Sequence, residues 1–386
     1  MYSTRLHTPR AALATALLAG VGLLLPGCAH DKAASGGSKQ ASAAVASPKG
    51  FQVNYDDWAK IGYRLDWVGF PFIGEESKPK VTAMKAYDDL IIVQDQLSTV
   101  AGVETSNGHT RWSVQLAGPL TKFVGISRDS DDPGRIIVSS ESEAFTVSAA
   151  NGNILNRETF ARVVNTQPVL MGNFAIFGTS TGEVLAHYLG RNVKAWGFAS
   201  IGSFEANPIL IGNELAAVSQ AGDVVFLTSQ GSLVGRARIF GGLDNNPVTD
   251  QGLLFIAGRD QSVWAFDGAG NFQWRYRTSY PLSAQPTAHN GTLYVDIPNQ
   301  GMTAFEETSG NVVWTNPNVH GAVIGARSGH LLVRDGTQLT TIDPARGDIF
   351  ERITVPGVVR IVLDKFQDGD IYAVNAKANV AKFIPR

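Results

Sequence analysis

The sequence predicts an all-β fold, an eight-bladed β-propeller closed by an N-terminal strand. The first observation is a series of four prolines, each preceded by Asn or Gln and spaced 40, 39 and 39 residues apart. The second is a glycine four or five residues after each proline, followed by a short apolar run. Self-similarity at such a period indicates an array of similar supersecondary units. The dipeptides are Gln167-Pro168, Asn207-Pro208, Asn246-Pro247 and Gln285-Pro286, and the glycines are Gly172, Gly212, Gly252 and Gly291.

Each unit is predicted to form four short strands. In one unit the turn pair Asn290-Gly291 precedes an apolar run at 293–295, and further runs follow at 302–305 and 312–314. Runs of β-branched and aromatic residues separated by Gly, Asn, Asp and Pro are typical of antiparallel strands. No stretch after residue 50 keeps a helical apolar period long enough for a substantial helix. Four-stranded units of ~40–45 residues are propeller blades.

The second strand of each unit gives the number of blades, which is eight. These runs begin near Leu90, Ile136, Ala175, Leu215, Leu253, Leu293, Leu331 and Ile371. The eighth unit has only three strands before the sequence stops. We therefore expect residues 63–68, which precede the first full unit, to supply its outer strand, because an unpaired sheet edge promotes aggregation. The alternative is seven blades, if one weak unit is misread. Residues 51–386 are predicted to form a single propeller domain.

The third and fourth strands of several units share a recurring sequence. Residues 304–314 read Ala-Phe-Glu-Glu-Thr-Ser-Gly-Asn-Val-Val-Trp, and Gly and Trp recur at a similar spacing in the units that contain Trp112 and Trp274. This sequence resembles the Ala-Leu-Asp-x-x-Thr-Gly-x-x-x-Trp repeat of the PQQ-like (quinoprotein-like) propeller family. In that family the tryptophan packs between neighbouring blades. The resemblance therefore implies a structural role for Trp112, Trp274 and Trp314.

The N-terminal segment has the features of an export signal. Two arginines are followed by an apolar stretch of 15 residues, 11–25, which is shorter than the ~20 residues of a transmembrane helix and typical of a secretory signal. The sequence Leu-Pro-Gly before Cys28, the single cysteine, resembles a bacterial lipobox. We predict a lipoprotein signal peptide at 1–27, lipidation of Cys28 and a flexible low-complexity tether at 28–50. Ala29 resembles the outer-membrane sorting pattern, which implies a lipid-anchored envelope protein that faces the periplasm.

Composition and motifs disfavour several binding and catalytic functions. A net charge of −2 argues against a nucleic-acid partner, which requires a basic face. The histidines after residue 50 show no metal-ligand spacing, so no metal site is expected. Gly-Thr-Ser-Thr-Gly at 178–182 matches the text of a hydrolase nucleophile elbow, but it lies between two β runs and predicts a hairpin turn. Asp129 to Gly134 is likewise interpreted as a solvated hairpin, because Pro133 replaces an oxygen ligand of a calcium loop.

The name of the repeat suggests one enzyme class, the PQQ-dependent dehydrogenases. Those enzymes are usually longer than this chain and insert loops into the propeller to build the cofactor site. Their alcohol-dehydrogenase members also stack the quinone on a vicinal disulfide, whereas this chain has one cysteine. We therefore expect no catalytic residues and no cofactor.

A lipidated PQQ-like propeller without a cofactor site resembles the BamB-type outer-membrane assembly lipoproteins. In that family, loops just before the inner-strand prolines help to dock the periplasmic domains of the membrane barrel subunit. Asp244-Asn245-Asn246-Pro247 resembles the acidic-x-x-Pro form of one such loop, although the preceding blade departs from the family at 200–203. The resemblance implies a protein-binding scaffold. Its candidate partner-binding residues are Gln167, Glu205, Asn207, Asp244, Asn246 and Gln285.

Two alternatives remain open at this stage. The Asn and Gln side chains before the prolines would equally serve to cap strand ends and satisfy backbone groups. The protein as a whole would equally be a periplasmic propeller that binds a small molecule, a glycan or a peptide in its central funnel, as a sensor or an accessory protein.

Overall fold

The computed structural model describes residues 51–72 and 79–386. The predicted signal peptide, Cys28 and the tether lie outside the described residues. Helix α1 (Tyr55–Lys60) is capped by Asn54, whose side chain accepts hydrogen bonds from the N–H groups of Asp56 and Asp57. No helix in the described ranges has the length and apolar character needed to cross a membrane.

Thirty-two strands follow in chain order within the described ranges. The first sixteen are β1 (Tyr63–Gly69), β2 (Val81–Ala86), β3 (Leu90–Asp95), β4 (Thr99–Glu104), β5 (Thr110–Gln115), β6 (Phe123–Arg128), β7 (Arg135–Ser140), β8 (Glu143–Ser148), β9 (Ile154–Thr159), β10 (Val169–Met171), β11 (Phe174–Gly178), β12 (Glu183–Tyr188), β13 (Val193–Ala199), β14 (Ile209–Ile211), β15 (Glu214–Val218) and β16 (Asp223–Leu227). The remaining sixteen are β17 (Leu233–Arg238), β18 (Val248–Asp250), β19 (Leu253–Gly258), β20 (Ser262–Asp267), β21 (Phe272–Arg277), β22 (Thr287–His289), β23 (Thr292–Ile297), β24 (Gly301–Glu306), β25 (Val312–Asn316), β26 (Ala322–Arg327), β27 (His330–Asp335), β28 (Gln338–Ile342), β29 (Ile349–Thr354), β30 (Val358–Leu363), β31 (Ile371–Asn375) and β32 (Val380–Pro385).

The strands form eight antiparallel four-stranded sheets, which confirms the eight-bladed propeller. Blades 1 to 7 take four consecutive strands each, from β2–β5 to β26–β29, in the order from inner to outer strand. Blade 8 consists of β30, β31 and β32 with β1 as its outer strand. The sequence-based prediction of ring closure by the N-terminal strand is therefore confirmed.

Aromatic packing reinforces this closure. The rings of Trp58 in α1 and Phe383 in β32 stack with centroids 3.5 Å apart. The hydroxyl of Tyr63 in β1 donates a hydrogen bond to the carbonyl of Gly369 at 3.1 Å. The first and last strands of the propeller are thus held together in one blade.

The hydrophobic core lies between neighbouring blades. The two middle strands of each blade are packed on both faces, and β3 is buried along its whole length. In the first interface, Leu90 and Ile92 of blade 1 pack with Phe145 and Val147 of blade 2. Continuous apolar runs in the middle strands are the sequence cause of this burial, because both faces of each sheet are covered by a neighbouring sheet.

The antiparallel order gives the ring two faces with different loops. The loop from each outer strand to the next inner strand and the hairpin between the second and third strands open on one face, here called the crossover face. The other two hairpins of each blade open on the opposite face. Ser180 lies in the turn between β11 and β12, so the Gly-Thr-Ser-Thr-Gly sequence forms a hairpin rather than a strand-to-helix elbow.

A candidate docking surface on the crossover face

The amides that precede the four repeat prolines form a hydrogen-bonded chain across four blades. The side-chain oxygen of Asn207 accepts the backbone N–H of Gln167 at 2.9 Å. Asn246 accepts that of Asn207 at 2.8 Å, and Gln285 accepts that of Asn246 at 3.1 Å. The Gln285 amide nitrogen also donates to the Asn246 carbonyl at 3.0 Å. Each blade therefore satisfies a backbone donor of the blade before it.

This chain gives three of the predicted partner-binding residues a defined structural role. These side-chain amides already bond to backbone groups, so they are poorly available to a protein partner. Breaking one of these hydrogen bonds would leave a partly buried backbone group without a hydrogen bond. The same bonds hold the four crossover loops at fixed positions relative to one another.

Glu205 and Asp244 differ from the amides because both carboxylates are exposed. They line a surface pocket of about 460 Å³ between blades 4 and 5, together with Gln220, Asn246 and Arg259. The pocket combines side chains from two crossover loops and from the hairpins beside them.

Asp244 is paired within the protein. Its Oδ1 lies 3.0 Å from Nε of Arg259, with both side chains nearly half exposed, at 46% and 47%. Arg259 also donates a hydrogen bond to Oε1 of Gln220. Exposed pairs of this kind stabilise a fold by only ~0–1 kcal/mol, so the pair is able to open towards a partner at small cost.

A buried asparagine supports this loop from below. The Asn245 amide nitrogen donates to the carbonyls of Ala257 at 3.0 Å and Leu282 at 3.3 Å. Asp244 is thus presented by a loop whose two following residues are both hydrogen-bonded to neighbouring backbone.

The three tryptophans singled out in the sequence occupy equivalent positions. Each indole N–H donates to a carbonyl in the third-to-fourth-strand turn of the next blade, and the ring covers a glycine of that turn. Trp67 and Trp196 make the same contact, with the carbonyls of Thr105 and Ser229 at 3.0 Å. Sequence reasoning missed these two because the residues around them keep little of the repeat sequence that marks the other three.

Glu158 performs a related task between blades 2 and 3. Its carboxylate is buried and accepts the N–H groups of Gly190 and Asn192 at 2.9 and 2.7 Å. The ring of buried His187 lies beside it, with Nε2 3.8 Å from a Glu158 oxygen. Burial lowers the pKa of His187, while the neighbouring carboxylate acts in the opposite direction.

The Asp250–Glu307 pair lies at the junction of blades 5 and 6. The Glu307 side chain is fully buried, beside the carboxyl group of Asp250. Burial, together with the nearby carboxylate of Asp250, raises the pKa of Glu307 to about 7. Glu307 is therefore protonated at mildly acidic pH.

Metal coordination has no support in the part of the chain that the structure describes. No group of three or more His, Cys, Asp or Glu side chains converges there in a way that would hold an ion.

Comparison with models of known protein families gives a match over two ranges of the chain. Residues 75–232 and 220–384 match the family model described as outer membrane protein assembly factor BamB. Together these matches cover most of the sequence. The chain belongs to the BamB family.

Two solved structures resemble this BamB-family propeller. BamB from Moraxella catarrhalis aligns with a TM-score of 0.65 and 15% sequence identity, over 83% of this chain and 97% of that one. The computationally designed Ika8 protein also aligns with a TM-score of 0.65, at 9% identity over 82% of this chain and 100% of that one. At such low identity these likenesses establish the fold alone. No match is found among curated proteins.

The acidic-x-x-Pro loop of this family member is the one that carries Asp244. In the preceding crossover loop, Glu205 supplies the exposed carboxylate, and Ile201 in the same segment is 54% exposed. The two loops therefore present charge and apolar surface side by side.

Proposed function

We propose that this BamB-family chain is a membrane-anchored scaffold that docks protein partners during the assembly of outer-membrane β-barrel proteins. Membership of the family supports the role in assembly. The observation that carries the docking site is the exposed pair of carboxylates, Glu205 and Asp244, on crossover loops that are fixed by the amide chain.

Rigidity of these loops favours binding. Ordering a flexible loop on association costs free energy, whereas a preorganised loop avoids that cost. The hydrogen bonds from Asn207 to Asn246 and from Asn246 to Gln285 remove this freedom before a partner arrives. A partner arginine that replaces Arg259 at Asp244 gains a charge-assisted hydrogen bond.

The anchor is part of the same proposal. Lipidation of Cys28 would attach the propeller to the membrane through the segment 28–50, whose composition is typical of a flexible tether. Two acyl chains give stable attachment where one does not. The propeller would then search for partners close to the membrane surface, in the cell envelope.

The proposed role is non-catalytic. Function depends on sites rather than on a fold, and the pocket between blades 4 and 5 offers a carboxylate already paired with Arg259. An ion-paired, half-exposed aspartate is a recognition group rather than an activated base.

Charge reversal at Asp244 tests the docking site. We expect Asp244→Lys to reduce recovery of the membrane barrel subunit from detergent-solubilised membranes about tenfold, which corresponds to ~1.4 kcal/mol of binding free energy. The reason is that lysine at this position repels both Arg259 and a partner cation. Folding should be retained, since exposed loop charges move stability by less than ~0.5 kcal/mol.

Asp348→Lys is the matched control. Asp348 is also an exposed aspartate, 63% exposed and paired with Arg346 at 3.2 Å, but it lies in a hairpin of the opposite face. Equal recovery of the barrel subunit by both variants and the unaltered protein would refute docking through Asp244.

A further inference from the structure

A cavity of about 570 Å³ lies on the axis of the propeller and opens at the crossover face. Its walls come from β2, β6 and β30, and its rim includes Gln167, Asn207 and Asn246. Residues from six of the eight blades meet there, which places the cavity at the centre of the ring. Its volume lies within the range of ~300–1,000 Å³ that is typical of ligand sites.

Two cationic side chains without carboxylate partners line this cavity from adjacent blades, and a third lies beside them on blade 7. Lys85 in β2 and Arg360 in β30 line it, and both are exposed to solvent. Arg334 from the end of β27 reaches the inner strand of blade 8, where its Nη2 donates to the Val359 carbonyl at 3.1 Å. Arg360 in turn donates to the Thr82 carbonyl of blade 1 at 2.7 Å.

These cations lack carboxylate partners among the described residues. Arg334 and Arg360 bond to backbone carbonyls, and Lys85 makes no hydrogen bond or ion pair within the described ranges. Although Lys85 keeps contact with solvent, partial desolvation by the cavity wall and repulsion from Arg360 lower its pKa. Burial and Arg360 likewise lower the pKa of Arg334. Mutual repulsion of this kind is relieved when an anion binds between the charges.

Two other charged side chains, Lys122 and Asp95, line the cavity. Lys122 is paired with Glu141 at 2.6 Å. The buried carboxylate of Asp95 accepts the N–H groups of Leu97 and Thr99, both at 2.8 Å. With Lys122 paired, Lys85 and Arg360 outnumber the Asp95 carboxylate among the lining side chains. The net charge of the lining is therefore positive, and its two unpaired cations come from the adjacent blades 8 and 1.

We propose that the axial cavity binds an acidic peptide segment of a protein partner, with carboxylates seated at Lys85 and Arg360. A single small anion would leave most of the cavity volume empty, and cations on separate blades fit a segment with several carboxylates. The cavity opens on the same face as the Asp244 loop, so a docked partner is within reach of it. The inference thus rests on the proposed scaffold function and names the chemistry of one partner segment.

Purified protein and a labelled peptide suffice to test this site. A short aspartate-rich peptide should bind with an affinity that falls as salt increases, and its asparagine version should not bind. Lys85→Gln and Arg360→Gln should each weaken binding at least about tenfold, in line with the loss of a charge-assisted hydrogen bond. Circular dichroism and melting temperature verify that both variants fold.

Lys377→Gln provides the matched control. This lysine is exposed in the β31–β32 turn of the same face, away from the axis, and its removal changes the net charge by the same amount. An equal loss of peptide binding in this variant would overturn the proposal, because it would show attraction to the overall charge alone. Displacement of the peptide by an equal concentration of inorganic phosphate would also overturn it.

A second pair of variants excludes an internal occupant. Glu75 and Glu76 precede β2 in the same chain. If the peptide binds only after Glu75→Gln and Glu76→Gln are introduced, carboxylates of the same chain occupy the cavity, and the proposal of a partner segment is wrong. Because the assay contains no membrane protein, a negative result here is distinguishable from failure of the assembly role.

Discussion

The carboxyl group of Glu307, at the interface between blades 5 and 6, makes the stability of the folded protein depend on pH. Its pKa is about 7 in the folded protein against an ordinary value of 4.5, owing to burial and to Asp250. The folded state therefore favours the protonated form. The contribution of Glu307 to the free energy of unfolding is fully present below about pH 4.5 and is lost as pH rises through about 7.

We expect the melting temperature of the unaltered protein to fall between pH 5 and pH 8, and Glu307→Gln to lose most of this fall. A difference of that size in pKa corresponds to about 3 kcal/mol of unfolding free energy. Glutamine imitates the protonated acid and remains neutral at high pH. The control is Glu306→Gln, since Glu306 is the adjacent residue but is exposed. A pH profile unchanged by Glu307→Gln would contradict the assignment.

At the scale of the element, a tryptophan in the outer strand of one blade packs its ring on a glycine in the third-to-fourth-strand turn of the next blade. Gly310 has φ +71°, and a Cβ there would lie 2.5 Å from the ring of Trp274. The full repeat sequence was sufficient to single out Trp112, Trp274 and Trp314. Trp67 and Trp196 escaped detection because a tryptophan on its own is a common core residue, and only the three-dimensional contact distinguishes it.

Gly310→Ala should destabilise the protein by about 2–4 kcal/mol, combining backbone strain with overpacking against the indole. Gly329→Ala is the control, because Gly329 has a similar φ of +82° with no atom within 4 Å of the added Cβ. That variant should cost only the backbone strain, ~1–2 kcal/mol. Urea denaturation measures both values, and equal losses would show that the tryptophan contact contributes nothing.

At the scale of the whole molecule, the proline spacing predicted an array of similar units, and the eight second-strand runs predicted eight blades, with seven as the alternative. The incomplete eighth unit predicted the ring closure as well, because the unpaired edge of its third strand required a fourth strand. The side-chain contacts between blades could not be predicted from the sequence. Sequence position alone does not reveal that Asn246 bonds to Asn207, nor that Lys85 and Arg360 meet at the axial cavity from two blades. Such contacts depend on how far each sheet twists and on the rotation between blades, which local patterns do not encode.

The central claim is that the crossover face, rather than its opposite, docks the partner. Site-specific photocrosslinking in intact cells tests it most directly, with the crosslinking residue placed at Glu205 on the crossover face or at Asp348 on the opposite face. We expect a crosslink to the membrane barrel subunit from position 205 and none from position 348. Crosslinks to that subunit from position 348, with none from position 205, would contradict the account.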